Sequence, residues 1–487
     1  MSTSIRDLSP NRLWNNFEDL NQIPRPSKKE AMAVAFIRDF SEKLGLETTV
    51  DDIGNVLVRK PATKGMEGRK TVILQSHLDM VHQKNKDTDF DFDSEGIRSF
   101  IDGEWVKAKG TTLGADNGIG VATMMSILES QEIQHPNIEC LFTVDEEAGM
   151  TGVRNFKKDI LKGQILLNLD TEDDDEFSIG CAGGIDTNTL LEYEENVFEE
   201  QVLDVDILVR GLKGGHSGME IHLGRANANK ILARVLFEIK TEFHLNEIDG
   251  GSLRNAIPRE AFAKVFVLEK YEPFFKIELQ RIVEAIVKEY QSVESNLEIK
   301  LVFNGKTESF KCMGKVLQSN IIKALHICPN GVGRMNPNMD NIPETSSNLA
   351  RVILRDGRFT TKSLQRSSID EAKKDMASRV GTCFELIGCY VSYDGDYPGW
   401  MPKLDSEILN VMKNIYYERY DKHPKVSCTH GGLECGILGE TYPDIDMISF
   451  GPTIKNPHSP DEKVNIKSVD RFFSFLLEIL SKVPSAV

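Results

Sequence analysis

The chain has 487 residues, of which 40% are hydrophobic and 27% charged, and its formal net charge is −17 at pH 7. This length exceeds one ordinary hydrophobic core, so two or three domains are expected. Nucleic-acid affinity rests largely on the neutralisation of phosphates by Lys and Arg, so the acidic balance argues against a nucleic-acid partner. No apolar run reaches the roughly 18 residues that a membrane-spanning helix needs, so no membrane association is predicted.

Strands alternate with helices along residues 1–184. Two helices separated by Pro24 and Pro26 are predicted over residues 11–45, because apolar residues recur there with a period near 3.6. Short apolar strands follow in GNVLVRK, TVILQSH, IECLFTVDEE and GQILLNLD, and DNGIGVATMMSILES between the second and third reads as a helix. This alternation indicates an α/β domain with a mainly parallel central sheet.

The pattern changes near residue 185. QVLDVDILVRGLKGG alternates apolar and polar residues as a half-exposed strand does, ANANKILARVLFEIK is an amphipathic helix, and strands and helices of this kind continue to residue 397. After YPGW the α/β character returns, with SEILNVMKNIYYERY as a helix and DIDMISFGPT as a strand. We therefore predict that an α+β domain, residues 185–397, is inserted between residues 1–184 and 398–487, which form the two parts of the α/β domain.

Cysteine usage and the opening segment bear on the compartment. The eight cysteines are scattered and form no C-x-x-C pair, which in so long a chain indicates reduced thiols. The opening segment MSTSIRDLSPNRLW has no apolar region of the kind found in secretory signals, so no such signal is expected. A cytoplasmic location is predicted.

Residues of types that commonly bind metal ions follow four apolar strands of the predicted α/β domain (residues 1–184 and 398–487). A further residue of this kind lies at the start of the predicted helix of that domain. Ligands of open parallel sheets bind outside the carboxyl ends of the strands, so the fold would gather groups that are far apart in the chain. These residues are His77 and Asp79 after TVILQS, Asp116 at the start of the helix, Asp145, Glu146 and Glu147 after IECLFTV, Asp170 after GQILLNL, and His458 in the loop after DIDMISFGPT.

Each of these residues also has an ordinary structural explanation. A lone histidine such as His77 is commonly a core residue, an acidic run is commonly a solvated surface cluster, and Asp116 at a helix start is commonly an N-cap. GADNGIG lacks the spacing of a dinucleotide-binding turn, and GLKGGHSG lacks the lysine of a phosphate loop. The recurrence of potential ligands at five element ends favours a metal site over five unrelated explanations.

Two histidines and three carboxylates suit a pair of divalent cations. If Asp116 bridges both ions, His77 and Asp170 complete one site, and Glu147 and His458 complete the other. Four positive charges against three carboxylates and one hydroxide leave a neutral cluster. Such ion pairs lie about 3.5–4 Å apart and lower the pKa of bound water toward about 7.

Glu146 and Asp79 have supporting roles in this arrangement. Adjacent residues of an extended chain point in opposite directions, so Glu147 facing the ions leaves Glu146 to act as general base and then to protonate the leaving nitrogen. Asp79 lies on the same face as His77 and is predicted to hydrogen-bond the second ring nitrogen. The predicted chemistry is metal-assisted hydrolysis of an amide.

The motifs as a set resemble a known family. SHLDMV, GTTLGADNGIG, EEAGM, NLDTED, GGHSG and GPTIKNPHSPDE resemble the co-catalytic di-zinc peptidases that include carnosinase, aminoacylase and glutamate carboxypeptidase. CAGGID, GLKGGHSGMEIHLGRANANK, LRNAIPREAFA, YPGW and HGGLECG are similar to the branch of this family that hydrolyses aminoacyl-histidine dipeptides. The likeness extends from residue 10 onward in the same order, although residues 270–340 carry no recognised motif.

The resemblance implies a catalytic domain with two Zn²⁺ ions, replaceable by Co²⁺ or Mn²⁺, and an inserted lid domain through which the chain forms a homodimer. It implies that His216 in KGGHSG steadies the oxyanion and that a cis peptide bond follows Asp116. The ligand pattern of the family falls on His77, Asp116, Glu147, Asp170 and His458, with Glu146 as the base and Asp79 behind His77.

Three further residues are candidates for binding the substrate. Asn255 in RNAIP and Arg366 in LQRSS would bind a substrate carboxylate, although a surface position explains Arg366 equally well. Glu434 in GGLECG would meet a substrate amine or imidazole, whereas His430 is expected to be structural. The predicted function is hydrolysis of unblocked Xaa-His dipeptides, carnosine included. The alternatives are a broad dipeptidase, a tripeptidase, an N-acyl amino acid hydrolase, and a non-catalytic binding protein that retains the fold.

Overall fold

The fold is that of a computed structural model, which describes residues 4–486. The two helices predicted near the N-terminus form on either side of the segment that contains Pro24 and Pro26. The helices are α1 (Asn11–Asn21), α2 (Ala31–Lys43), α3 (Ala115–Glu129), α4 (Glu146–Gly149), α5 (Thr151–Arg154), α6 (Ala228–Glu238), α7 (Glu272–Tyr290), α8 (Lys315–Ile327), α9 (Asp370–Glu385), α10 (Glu407–Tyr420), α11 (Glu434–Thr441) and α12 (Ile466–Ser481).

The strands include all four that are predicted in the first part of the chain. They are β1 (Glu47–Val50), β2 (Val56–Lys60), β3 (Val72–His77), β4 (Ser99–Asp102), β5 (Trp105–Ala108), β6 (Ile138–Thr143), β7 (Ile165–Asn168), β8 (Glu176–Cys181), β9 (Gly183–Glu192), β10 (Asn196–Phe198), β11 (Val202–Arg210), β12 (Phe243–Gly251), β13 (Ala261–Leu268), β14 (Glu298–Thr307), β15 (Phe310–Cys312), β16 (Gly331–Met335), β17 (Pro343–Arg355), β18 (Arg358–Ser367), β19 (Tyr390–Tyr397), β20 (Lys425–Thr429), β21 (Asp446–Ser449), β22 (Ile454–Lys455) and β23 (Lys463–Asn465).

The chain divides into two compact units. The first unit comprises the residues up to Gly180, Pro402–Cys428 and the residues from Leu433 onward. The second unit comprises Cys181–Met401 together with Thr429–Gly432. The predicted boundaries lie between residues 184 and 185 and between residues 397 and 398, and the prediction assigns residues 429–432 to the outer domain.

The main sheet of the first unit has eight strands in the order β1-β2-β6-β3-β7-β21-β8-β20. The four central strands β6, β3, β7 and β21 run parallel to one another. The pairs β1–β2, β2–β6 and β21–β8 are antiparallel, so the sheet as a whole is mixed. The predicted α/β class is confirmed, and the carboxyl ends of the four central strands lie at one edge of the sheet.

The second unit is built on an antiparallel sheet with the path β14-β11-β13-β12-β17-β18-β9-β19, and β16 pairs with β17. The alternation predicted for β11 holds, because Leu203, Val205, Ile207 and Val209 are all buried in the core of the unit. Residues of α6, α7, α8 and α9 complete this core. This arrangement matches the α+β character expected of the inserted domain.

None of the helices within residues 4–486 combines the length with the apolar character that crossing a bilayer demands.

Candidate metal centre

The carboxyl edge of the parallel strands in the first unit gathers the five predicted ligands. His77 is the last residue of β3, Glu147 lies in α4 after β6, Asp170 follows β7, and His458 lies in the loop after β22. Asp116 lies in the first turn of α3, beside the cis peptide bond that it forms with Asn117, as predicted. The side chains form three potential metal-binding groups, within each of which the ligand atoms are at most 4.8 Å apart: His77–Asp116–Asp170, Asp116–Glu147–His458 and His77–Glu146–Glu147.

Asp116 is shared by two of these groups. Its Oδ1 lies 3.2 Å from His77 Nε2, and its Oδ2 lies 3.2 Å from His458 Nε2. Asp170 Oδ1 lies 3.4 Å from the same nitrogen of His77, and Glu147 Oε2 lies 3.0 Å from that of His458. One carboxylate oxygen of Asp116 therefore faces each histidine, as expected of a bridging ligand.

These residues fit a pair of divalent cations. Three carboxylates and two imidazole nitrogens form a donor set that suits zinc and similar ions. Glu147 Oε1 is buried and has no hydrogen-bond partner among residues 4–486, so a strong acceptor is left unused. Hydrogen bonds that the His458 ring donates to Asp116 and Glu147 raise the pKa of His458 to about 11, which reflects the strongly negative field of the cluster. A cation at this position would relieve that field.

Asp79 anchors the turn that carries the two glutamates. Its Oδ1 accepts the backbone N–H of Glu146 at 3.0 Å, and its Oδ2 accepts that of Glu147 at 3.2 Å and the hydroxyl of Ser27 at 2.8 Å. His77 Nδ1 lies 3.0 Å from the backbone oxygen of Asp79 and 3.4 Å from Oδ1. Asp79 therefore contacts Nδ1 of His77, the ring nitrogen that does not face Asp116, as the sequence suggests. It also holds Glu146 and Glu147 through their backbone N–H groups.

The local conformation of Glu146 and Glu147 differs from the prediction. The two residues open the short helix α4 instead of lying in extended chain, because the strand ends at Thr143 and Asp145 has a left-handed backbone. Consecutive residues of a helix point about 100° apart, so the argument from alternation is wrong, and one carboxylate oxygen of each glutamate lies within 4.8 Å of the other and of a ring nitrogen of His77. Glu147 reaches His458, and burial raises the pKa of Glu146 well above its usual range.

Replacing Asp79 by asparagine is expected to weaken metal binding or kcat by about 10- to 100-fold, which is typical of a residue that orients metal ligands. The amide would put a donor against one of the two backbone N–H groups that the carboxylate now accepts. Chelator competition and steady-state kinetics measure the effect. Ser27→Ala removes only one contact of Asp79 and should change both quantities less. Equal effects of the two substitutions would contradict this role.

Three residues outside the predicted set contact a predicted ligand or the backbone of Asp79. The side-chain amide of Asn117 donates to Asp170 Oδ1, Arg25 donates to the carbonyl of Asp79, and Glu462 accepts the backbone N–H of Asp116. Glu462 belongs to the quoted HSPDE segment, so its spacing of four residues from His458 was an available signal. A lone arginine between two prolines offers none.

Glu434 lies among buried polar side chains of the first unit. The side chain is completely buried, and its carboxyl accepts hydrogen bonds from Gln75 Nε2 and, at 2.8 Å, from Thr143 Oγ1. Gln75 in turn accepts from Asn168, so Glu434 ends a buried row of polar side chains across the sheet. Burial raises the pKa of Glu434 to about 8. The other oxygen, Oε1, is buried without a hydrogen-bond partner among residues 4–486, and contact of Glu434 with a substrate amine or imidazole stays a prediction.

His216 lies in the second unit with a defined tautomer. Its Nδ1 accepts the backbone N–H groups of Gly218 at 3.2 Å and Met219 at 3.0 Å, so the ring proton is on Nε2. Burial and the positive charge of Arg366 both lower the pKa of His216. The ring is therefore a neutral hydrogen-bond donor.

Arg366 is buried, so the alternative explanation of this residue as an ordinary surface arginine does not hold. It is 5% exposed, its Nη1 donates to Tyr397 Oη at 2.8 Å, and its buried Nε has no acceptor among residues 4–486. Arg366 thus keeps an unsatisfied buried donor.

His430 Nε2 lies 2.7 Å from Ser346 Oγ. Burial, followed by the positive charge of Arg366, lowers the pKa of His430 to about 3. Asn255 is exposed, and its backbone oxygen accepts the N–H of Ser217.

The comparisons with known proteins agree on a family. Residues 73–482 match the model of peptidase family M20/M25/M40. The chain is 40% identical over 487 residues to the cytosol non-specific dipeptidase of Escherichia coli (strain K12), covering 99% of this chain and 100% of that protein. It is 41% identical to the aminoacylhistidine dipeptidase of Vibrio alginolyticus, with a TM-score of 0.94, covering 100% of this chain and 99% of that structure.

A more distant structure shares the fold alone. The aminopeptidase PepT of Bacillus cereus is 16% identical, with a TM-score of 0.54 and coverage of 98% and 99% of the two chains. The family match spans most of the chain, and the Escherichia coli relative is matched over its full length. The chain therefore belongs to peptidase family M20/M25/M40 and is a metallopeptidase that hydrolyses peptide bonds.

Proposed function

We propose that the chain hydrolyses the peptide bond of unblocked dipeptides, with a preference for Xaa-His dipeptides such as carnosine, and that two Zn²⁺ ions serve the reaction. The observation that carries this proposal is the pair of ligand groups that share Asp116 beside Glu146. The names of the relatives from Escherichia coli and Vibrio alginolyticus, a dipeptidase in each case, support the substrate class. Co²⁺ or Mn²⁺ would substitute for Zn²⁺, because the donor set is not restricted to one ion.

The residues of the chain divide the chemistry among them. Two bound cations would lower the pKa of a water molecule and polarise the scissile carbonyl. Glu146 removes a proton from that water and passes it to the leaving nitrogen, the role its position next to the ligand Glu147 suggests. Asp79 holds the backbone of both glutamates, so the carboxylate of Glu146 stays oriented. His216 donates its Nε2 proton in a hydrogen bond to the developing oxyanion.

We assign the carboxylate of the dipeptide to Arg366, with Asn255 as a second polar contact. The buried, unsatisfied Nε of Arg366 is the supporting observation, because a carboxylate would complete its hydrogen bonding. Arg366→Met should lower kcat/KM by about 10- to 150-fold, as loss of a hydrogen bond to a charged group costs about 1.5–3 kcal/mol.

A dipeptide amide makes this prediction specific. The amide lacks the terminal carboxylate, so Arg366→Met should change its hydrolysis far less than that of the free dipeptide. Arg358→Met is the matched control, because Arg358 is an exposed arginine at the start of the same strand. An equal loss with both substrates would show that Arg366 does not bind the carboxylate.

A broad-specificity dipeptidase is the second candidate, and the name of the Escherichia coli relative favours it. Hydrolysis rates on carnosine, a second Xaa-His dipeptide, Leu-Leu, a tripeptide and an N-acetyl amino acid distinguish the two. The first proposal expects the highest kcat/KM on Xaa-His dipeptides and none on the N-acetyl compound. Comparable rates on Leu-Leu would favour the broad enzyme, and turnover of the N-acetyl compound would contradict a requirement for a free amine. If metal-loaded protein hydrolysed no peptide, both would fail.

We also propose a homodimer formed through the second unit, and a cytoplasmic location. Phe274 and Ile277 on α7 are 69% and 72% exposed, and β14 beside them in sequence is an edge strand of the sheet. Exposed apolar side chains and an open strand edge are features that a second copy of the chain would cover. Light scattering gives the molar mass that tests the dimer, and the cytosolic relative supports the location.

A further inference from the structure

The Glu462 side chain contacts the loop that carries Asp116 (residues 113–116), and it does so only through the backbone N–H groups of that loop. The Glu462 side chain is 2% exposed, and its two oxygens accept four consecutive backbone N–H groups at the start of α3. Such N–H groups have no partner within the helix itself, so a carboxylate satisfies them and is favoured by the helix dipole. The four bonds come from Leu113 at 2.7 Å and Gly114 at 2.9 Å to Oε2, and from Ala115 at 2.8 Å and Asp116 at 3.2 Å to Oε1.

Arg25 contacts the same loop through a carbonyl group. Its Nη2 donates to the oxygen of Gly114 at 2.6 Å, while its Nη1 lies 3.1 Å from the oxygen of Leu78 and 3.3 Å from that of Asp79. A Cβ atom on Gly114 would lie 2.5 Å from Nη2, and Gly114 has a φ of +69°, so glycine is needed for this approach. The buried guanidinium therefore joins the Asp116 loop to the chain that follows His77.

The two contacts connect three ligand-bearing segments. Glu462 lies four residues after His458, and its own N–H donates to the oxygen of Ser459, which closes the turn between them. Through this turn the segment of His458 is tied to the loop of Asp116, and through Arg25 that loop is tied to the end of β3. Burying two charged groups costs free energy even where most of their hydrogen bonds are made, and Arg25 Nε has no partner among residues 4–486, so packing alone does not account for the pair.

We propose that Glu462 and Arg25 are positioning residues for the metal centre, which hold Asp116 in register with His77 and His458 before any ion binds. The proposal rests on the proposed function, because it assumes that these three side chains are metal ligands. Neither Glu462 nor Arg25 contacts the ions or the substrate; each acts through the backbone of the ligand segments.

Glu462→Gln tests the proposal with little change of shape. The amide keeps one acceptor oxygen but turns an NH₂ group toward two backbone N–H donors, so the loop of Asp116 loses part of its anchor. We expect the affinity for Zn²⁺ or Co²⁺ to fall by about 10- to 100-fold. This is the usual effect of losing a residue that orients the metal ligands without binding the metal itself. Competition with a chelator of known affinity measures this change, and the visible absorption of bound Co²⁺ reports the altered ligand geometry.

Glu139→Gln is the matched control. Glu139 is 2% exposed and accepts the backbone N–H groups of Lys162 at 2.8 Å and Gly163 at 2.9 Å. It lies near the amino end of β6, whereas Glu146 and Glu147 follow the other end of that strand. The control should lose thermal stability without a change in metal affinity. An equal change in metal affinity in both variants, or no change in either, would overturn the proposal.

Arg25→Lys gives an independent variant if the first does not fold. Lysine keeps the charge but replaces the two separate Nη donor groups with a single ammonium on a shorter side chain, so metal affinity should fall in the same direction. Wild-type protein that binds no divalent ion would refute the proposed function. Wild-type protein that binds two ions per chain, with unchanged affinity in folded Glu462→Gln and Arg25→Lys, would refute the positioning role alone.

Discussion

Glu146→Ala is expected to lower kcat by about 10²- to 10⁴-fold while two metal ions remain bound per chain, because general acid–base catalysis contributes a factor of this size. No hydrogen bond within the described residues holds the Glu146 carboxylate, and its backbone N–H still donates to Asp79 after the substitution. Truncation therefore removes the proton acceptor and leaves the anchor of the turn intact. Steady-state kinetics and elemental analysis of the dialysed protein provide the two readouts.

Glu147→Ala separates the roles of the two neighbouring glutamates. Glu147 Oε2 lies 3.0 Å from His458 Nε2, and its other oxygen is buried without a partner, so this substitution should lower the metal content. Glu132→Ala, at an exposed position of the same unit, should change neither readout. If Glu146→Ala lost metal while Glu147→Ala retained it, the assignments of ligand and base would have to be exchanged.

The gathering of the ligands was predictable because it follows from strand direction. His77, Glu147 and Asp170 each follow a short apolar strand, and parallel strands bring their carboxyl ends to one edge. The direction of the strands is in turn suggested by their alternation with helices. The structure brings these residues together in this way, through the parallel central strands β6, β3, β7 and β21.

The details that decide roles were not predictable from local patterns. The helical turn at Glu146 depends on Asp145, whose positive φ no periodicity indicates. The burial of Glu434 depends on Gln75, more than 350 residues earlier in the chain. Arg25 and Glu462 act through backbone groups, and backbone partners leave no residue-type signature. Long-range hydrogen bonds to side chains or backbone are properties of the folded chain, and a one-dimensional pattern does not contain them.

Asp116→Asn is expected to have the largest effect on metal binding, because one carboxylate serves both groups. Each oxygen of Asp116 lies 3.2 Å from a different histidine, so a single neutral amide removes charge from both positions. The bound metal should fall from two ions per chain to less than one, and the affinity for metal should fall by more than the about 10- to 100-fold that loss of an indirect partner costs. Asp87→Asn, at an exposed position, should retain both ions.

Thermal unfolding provides a readout of Asp116→Asn that does not depend on activity. Ions that bind only the folded chain raise its stability by mass action, so a chelator should lower the Tm of the wild-type protein. In Asp116→Asn the Tm values with and without chelator should nearly coincide, because the ions that produce the difference are no longer held. A variant that kept two ions and the full chelator effect would show that Asp116 bridges nothing. A variant that lost one ion and half of the effect would assign Asp116 to a single site, because the other ion would then be held without it.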